Sequence, residues 1–568
     1  MFTPQAAILT VSALVTGALA SSQVPPSVHL DRATFFGNAS GVVTQFLGIP
    51  FALPPVGDLR LRLPLPNAPY TGVHNASAFG PACIQQLEPP LPIPAGFSPV
   101  TLQLLAGRDG GAPIVDSEDC LSINVVKPAS STDWTKLPVL VWIYGGGFEN
   151  GASASFNGSV IVERSIQLGQ PVVYVSMNYR WVALFPRNMV HTLGFPGGVE
   201  AQKAGIGNLG LHDQRLALRW VQKYIHAFGG DPGKVTIWGE SAGAISVALQ
   251  LVTNGGNTEG LFRGAFMQSG SPTGIGPVAE GQPFYDALVA NVSCAAAKDT
   301  LQCLREAPLD RLRTAINASP DIFAFQSLNL AWQPRVDGAF LKDDPQTLVL
   351  QNSVAKVPLL SGDCDDEGTL FSLSTSNLTT DAEVRAYLAA NYFKSVPSAD
   401  IDAILAAYPN DTAQGSPFDT GTLNAVTPQF KRLAALQGDL VFQAPRRFFL
   451  QQRAGKQPVF SYLSKRFKTL PDLGSFHGSD VDVIYGPSDM TDYLIRFATH
   501  LDPNVGASAD SSASFADSSA SLFWPRYTTA APQLLTFLDG AVPLNISLDT
   551  YRAEGMAELT RVSLAHPL

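Results

Sequence analysis

The stretch VTIWGESAGAISVAL, residues 235–249, runs from an apolar segment into helix-compatible residues through Gly239-Glu240-Ser241-Ala242-Gly243. A continuous apolar run suits a strand buried on both faces, and AISVAL suits a helix, so the pentapeptide falls at a sharp strand-to-helix turn. Such a turn strains the backbone of its central residue and pushes that side chain into the open. Bulk two positions before or after it would clash, which accounts for glycine at 239 and 243. Ser241 is therefore a candidate nucleophile. Glu240 points elsewhere, because consecutive side chains diverge through the turn.

Similar apolar runs lie on either side: PVLVWIYGG (138–146), PVVYVSMNY (171–179), GAFMQSG (264–270), VPLLSGD (357–363) and PVFSYLS (458–464). None alternates polar with apolar, as strands of a doubly covered parallel sheet need not. Between two of them, DQRLALRWVQKYIHAF (213–228) carries Leu216, Trp220, Val221, Tyr224, Ile225 and Phe228 on one helical face, with Asp213 at the expected N-cap. Strand, helix, strand in this order predicts an α/β fold, a doubly wound sheet flanked by helices.

The 568 residues are 45% hydrophobic and 15% charged, a globular composition, with a formal net charge of −10. That charge argues against nucleic acid as a partner, since phosphate backbones recruit Lys and Arg. No run past the N-terminus reaches the roughly 18 apolar residues that a membrane span needs. Residues 1–20 read as a signal peptide, with an apolar stretch from Ala6 and a small-x-small site at Ala18-Leu19-Ala20. Eight Asn-x-Ser/Thr sequons, at Asn38, Asn75, Asn157, Asn291, Asn317, Asn377, Asn410 and Asn545, agree with a secreted, extracellular glycoprotein. Setting Cys364 aside, Cys83, Cys120, Cys294 and Cys303 allow three pairings. No repeat is present; the polar tract 505–521 predicts a mobile loop, and 21–568 reads as one domain. Nothing in the sequence fixes an oligomeric state.

A serine nucleophile needs a base. After Ser241 the candidates are His477, His500 and His566; only His477, in Gly474-Ser-Phe-His-Gly478 beyond the PVFSYLS run, sits in a loop placed to reach back. The acid that orients the imidazole is one of Asp363, Asp365, Asp366 and Glu367, and residue type alone does not choose among them. Trp142-Ile-Tyr144-Gly145-Gly146-Gly147-Phe148 ends a strand in three glycines, a setting in which backbone N–H groups can approach an oxyanion. No metal-ligand spacing or nucleotide-binding glycine pattern occurs, so neither metal nor cofactor is expected.

These motifs resemble those of the type-B carboxylesterases and lipases, which share the α/β-hydrolase fold. FGGDPGKVTIWGESAG (228–243) is similar to the family's serine signature, and EDCLSINV (118–125) to its second signature, with Ser122 where Tyr, Thr or Phe is usual. GIPFALPPVGDLRLRLP (48–64) and NLGLHDQRLALRWV (208–221) match further blocks. CIQQLEP at Cys83, SEDC at Cys120 and GDCDDEGTLF (362–371) resemble the fungal lipases and sterol esterases of the Candida rugosa type.

The resemblance implies Ser241 as nucleophile, His477 as base and Glu367 as acid. It puts oxyanion N–H groups at Gly146, Gly147 and Ala242, gives Glu240 a supporting place, and pairs Cys83 with Cys120 and Cys294 with Cys303. It also makes the 83–120 loop a lid over the site, and here that loop holds Pro89, Pro90, Pro92 and Pro94 before GFSPVTLQLLAG (96–107). Phe148, Leu370 and Phe371 are candidates for an acyl pocket. The implied activity is hydrolysis of carboxylic esters, with long-chain esters met at a lipid–water interface. The alternatives are a carboxylesterase for short soluble esters and a binding protein that has lost catalysis.

Overall fold

Each apolar run singled out above forms a strand, and the order in which the strands pair sets up the site. The computed structural model describes residues 24–86, 96–109, 115–180, 194–505 and 521–568. The expected signal peptide, the prolines at 89–94 and nearly all of the 505–521 tract lie outside the described residues.

In chain order the main strands are β1 (Asn38–Ser40), β2 (Val43–Pro50), β3 (Ser122–Pro128), β4 (Leu137–Ile143), β5 (Val173–Met177) and β6 (Gly230–Glu240). They continue with β7 (Gly264–Gln268), β8 (Leu359–Cys364), β9 (Val459–Lys465), β10 (Gln533–Leu538) and β11 (Leu544–Leu548). Among the described residues they make an eleven-stranded sheet in the order β11-β10-β9-β8-β7-β6-β4-β5-β3-β2-β1. The block from β10 to β5 is parallel throughout, and antiparallel pairs form both rims. Strands β4, β5, β7 and β8 are buried at every position, which is why their runs carry no alternation. A separate three-stranded sheet is built from Ser27–Leu30, Arg32–Phe36 and Thr71–Asn75.

Two helices adjoin the site, α1 (Pro99–Asp109) and α3 (Ala242–Val252), and a third, α2 (Leu209–Tyr224), forms from the DQRLALRWVQKYIHAF run. Helix α2 corrects one expectation. It begins before Asp213, which is not an N-cap: the cap position is Asn208, whose side chain caps nothing in the helix. Asp213 is instead wholly buried and paired with Arg180, whose Nη2 reaches Oδ1 at 2.7 Å and whose Nε reaches Oδ2 at 2.8 Å. A carboxylate with a buried guanidinium partner is stable inside a helix, and that partner comes from the segment just after β5, out of reach of local pattern reading. The far end also shifts, since Ile225–Phe228 closes as a separate 3₁₀ turn.

Disulfides join Cys83 to Cys120 and Cys294 to Cys303, while Cys364 is buried and free. None of the eight sequon asparagines is buried. Among the described residues no helix is long and apolar enough to cross a membrane.

Candidate active site

The parallel strands deliver the predicted residues to one edge of the sheet, at their C-terminal ends, where open α/β sheets place their ligand crevices. Gly145 to Gly147 follow β4, Ser241 follows β6, Glu367 follows β8 and His477 follows β9. At the strand-to-helix turn Ser241 has φ 55° and ψ −126°, a left-handed backbone that costs a non-glycine residue roughly 1–3 kcal/mol. Its neighbours hold it there: its N–H donates to Gln268 O at 2.9 Å and its carbonyl accepts from the Ile245 N–H at 2.9 Å. A methyl group at position 243 would stand 2.0 Å from Ile143 O, and one at 239 would stand 2.5 Å from the Gly243 carbonyl. Glycine is thus required on both sides by contact.

His477 Nε2 lies 2.8 Å from Ser241 Oγ, and His477 Nδ1 lies 2.5 Å from Glu367 Oε2. Serine, imidazole and carboxylate therefore form a continuous chain, with all three residues almost out of solvent. Glu367 Oε1 accepts from Ser269 Oγ at 2.7 Å and from the Cys364 N–H at 2.6 Å. Burial drives the Glu367 carboxyl well above its usual range, and the Ser269 hydrogen bond is the largest opposing influence. The two donors on Oε1 favour the ionised form, and an ionised Glu367 would in turn favour the His477 tautomer with its proton on Nδ1.

The remaining acids have other partners. Asp363 meets Arg446 Nε at 2.7 Å, Asp365 meets Lys468 Nζ at 2.5 Å, and Asp366 receives Lys468, Ser416, Phe418 and Ser475. Glu240 Oε1 lies 3.4 Å from His477 Nε2, beside the nitrogen that faces the serine and away from the Nδ1 side held by Glu367. Ser269 and Phe442 escaped the sequence reading. Ser269 sits at the end of the GAFMQSG run, where a polar residue closing a buried strand was the available signal. Phe442, whose ring lies 4.5 Å from the imidazole, belongs to no motif.

Gly146 (φ 110°) and Gly147 (φ 62°) face the serine across a cleft of about 300 Å³ that Ser241, Glu240 and His477 also line. Among the described residues, the N–H groups of Gly146, Gly147 and Ala242 donate to no backbone carbonyl. The three acyl-pocket candidates divide between two cavities. Leu370 and Phe371 line the cleft, together with Leu104 of α1, Ile322 and Phe323. Phe148 lines a narrower pocket of about 60 Å³ that also opens on Ser241 and is walled by Ile245, Leu328, Leu330, Leu440, Phe442 and Leu568.

Helix α1 lies over this region. Its entry is fixed by the Ser98 N–H donating to Asp472 Oδ2 at 2.8 Å and by Thr101 Oγ1 donating to Pro471 O at 2.8 Å. Phe97 and Leu105 are buried and Leu104 reaches the cleft, while Val100 and Leu102 remain 54% and 39% exposed.

The carboxylesterase-family model matches residues 26–550. Lipase 4 of Diutina rugosa is 40% identical over 561 residues, covering 96% of this chain and 97% of its own. The secreted triacylglycerol lipase LIP1 of Gibberella zeae is 42% identical over 499 residues, covering 84% of this chain and 83% of its own. In three dimensions, the crystal structure of Aspergillus niger EstA matches with a TM-score of 0.78 at 27% identity, over 95% of this chain and 98% of that one.

Proposed function

The chain belongs to the carboxylesterase family and is a carboxylic ester hydrolase, and from that premise we propose that it is a secreted lipase working through Ser241, His477 and Glu367. The observation that carries the catalytic assignment is the unbroken contact from Ser241 Oγ through His477 to Glu367. His477 Nε2 takes the Ser241 proton as Oγ attacks the ester carbonyl, and Glu367 holds the Nδ1 proton and stabilises the imidazolium. The tetrahedral oxyanion rests on the N–H groups of Gly146, Gly147 and Ala242, each worth about 3–4 kcal/mol of barrier by analogy with other oxyanion holes. His477 then returns the proton to the departing alcohol, and a water activated by the same nitrogen releases the acid from Ser241. Glu240, beside Nε2, supports the imidazolium without holding its Nδ1.

Residues 21–568 act as one domain, with the 83–120 segment as its lid. The apolar lining around Ser241 favours long acyl chains, and α1 carries Leu104 at the cleft and the exposed apolar side chains of Val100 and Leu102, which could meet a lipid–water interface. Secretion is supported by the N-terminal apolar stretch, the two disulfides and the names of relatives such as the G. zeae lipase.

The test is initial rates on p-nitrophenyl esters from acetate to palmitate and on emulsified triolein and cholesteryl oleate, with Ser241→Ala as blank. A long-chain optimum with emulsion activity is expected. A short-chain optimum with inert emulsions would make the protein a carboxylesterase for soluble esters.

A further inference from the structure

The acid and the base arrive on different loops, and one buried side chain ties those loops together. Asp366 precedes Glu367 in the turn after β8 and is 0% exposed. Its Oδ1 accepts from the Phe418 N–H at 2.7 Å and from Ser416 Oγ at 3.0 Å. Its Oδ2 accepts from the Ser475 N–H at 2.9 Å and from Lys468 Nζ at 2.7 Å. The Asp366 N–H in turn donates to Ser475 O at 3.0 Å, within an isolated parallel bridge between Asp366 and Phe476. Phe476 precedes His477.

Taking Ser241, His477 and Glu367 as the catalytic residues, we propose that Asp366 is the positioning residue that fixes the His477 loop against the Glu367 turn. The 2.5 Å contact between Nδ1 and Glu367 exists only while two loops from two strands keep their register. A displacement of about 1 Å in such a constellation costs roughly a hundredfold in rate. Asp365 provides a contrast on the same turn. It shares Lys468 with Asp366, at 2.5 Å, and lies 3.4 Å from Lys465, but it makes no bond to Ser475 or Phe476 among the described residues.

Asp366→Asn tests this with little change of shape. Each carboxylate oxygen accepts a backbone N–H, so an amide turned either way sets its NH₂ against either Phe418 or Ser475. The charged groups that face His477 are Glu367 at Nδ1 and Glu240 at Nε2, with Asp482 on the cleft wall. Those facing Asp366 are Asp365, Lys468 and Lys431. A looser hold by Glu367 makes the imidazolium easier to deprotonate, so the acid limb of the kcat profile moves to lower pH.

The experiment measures kcat, KM, the acid limb and the melting temperature for wild type, Asp366→Asn and Asp365→Asn on a soluble p-nitrophenyl ester. Expected for Asp366→Asn are a kcat loss of about tenfold or more, a KM within about twofold, and an acid limb lower by about half a unit or more. Asp365→Asn loses melting temperature but keeps kcat and the limb. Wild-type kcat and limb in Asp366→Asn, with only its melting temperature lowered, would overturn the proposal. Where Asp366→Asn does not fold, Lys468→Met takes its place, because it strips the cation from Oδ2 and leaves the backbone bonds. A kcat loss of about threefold with the same limb shift supports the proposal, and wild-type values of both overturn it. Turnover surviving in Ser241→Ala would instead reject the catalytic reading itself.

Discussion

The turn around Ser241 and the segment between Cys83 and Cys120 meet at the same cleft, yet they are held in opposite ways. In the first, atoms are so close that no side chain fits at 239 or 243, and hydrogen bonds to Gln268 and Ile245 lock the serine on either side. In the second, α1 is held at its entry by two hydrogen bonds and the packing of Phe97 against Phe430, and it leaves Val100 and Leu102 in solvent. The difference teaches a division of labour. On the proposed function, chemistry rests on contacts that cannot give, and access rests on a segment tied down by few hydrogen bonds.

The sharpest way to break that comparison is at the serine. Ser241→Ala should lower kcat by about 10⁴-fold or more while the melting temperature stays near wild type, as read by ester turnover and calorimetry. Next comes the acid. Glu367→Gln should cost about 10³- to 10⁴-fold in kcat, because the amide cannot hold the same tautomer and charge, whereas Glu240→Gln should cost about tenfold or less. Equal, slight losses would show that the wrong acid is named.

The rigid side is also open to a stability test. Gly243→Ala forces a methyl to within 2.0 Å of Ile143 O and should destabilise the fold by about 3 kcal/mol or more in urea titrations. A smaller cost would mean that the turn relaxes more freely than its contacts indicate. The smallest effect belongs to the lightly tied side. Val100→Ser with Leu102→Ser should lower emulsion hydrolysis several-fold, about 3–10, and leave soluble-ester kcat unchanged, since neither side chain lines the cleft. An equal loss on both substrates would make α1 part of the rigid site.

How far the sequence alone could be read follows the same division. The strands were legible because burial on both faces leaves continuous apolar runs, and the turn at Ser241 because glycine there is a steric necessity. Glu367 was not separable by residue type from Asp363, Asp365 and Asp366. Their roles diverge through partners brought in from afar, Arg446 for the first, Lys468 for the next two and His477 for the last. Only the family resemblance pointed to Glu367. Asp213 misled for the same reason, because its partner Arg180 arrives from the segment just after β5. Phe442, against the imidazole, left no local trace, and nothing local distinguished Asp366, between the loops, from the acids beside it, since both places are set by tertiary packing.

The most direct test of the central claim is to treat the folded protein with a soluble organophosphate ester and map the adduct by peptide mass spectrometry. One phosphoryl group per molecule on the peptide holding Ser241, loss of ester turnover in step with it, and no labelling of Ser241→Ala is the predicted result. Labelling at another residue, or full turnover with Ser241 blocked, would contradict the account.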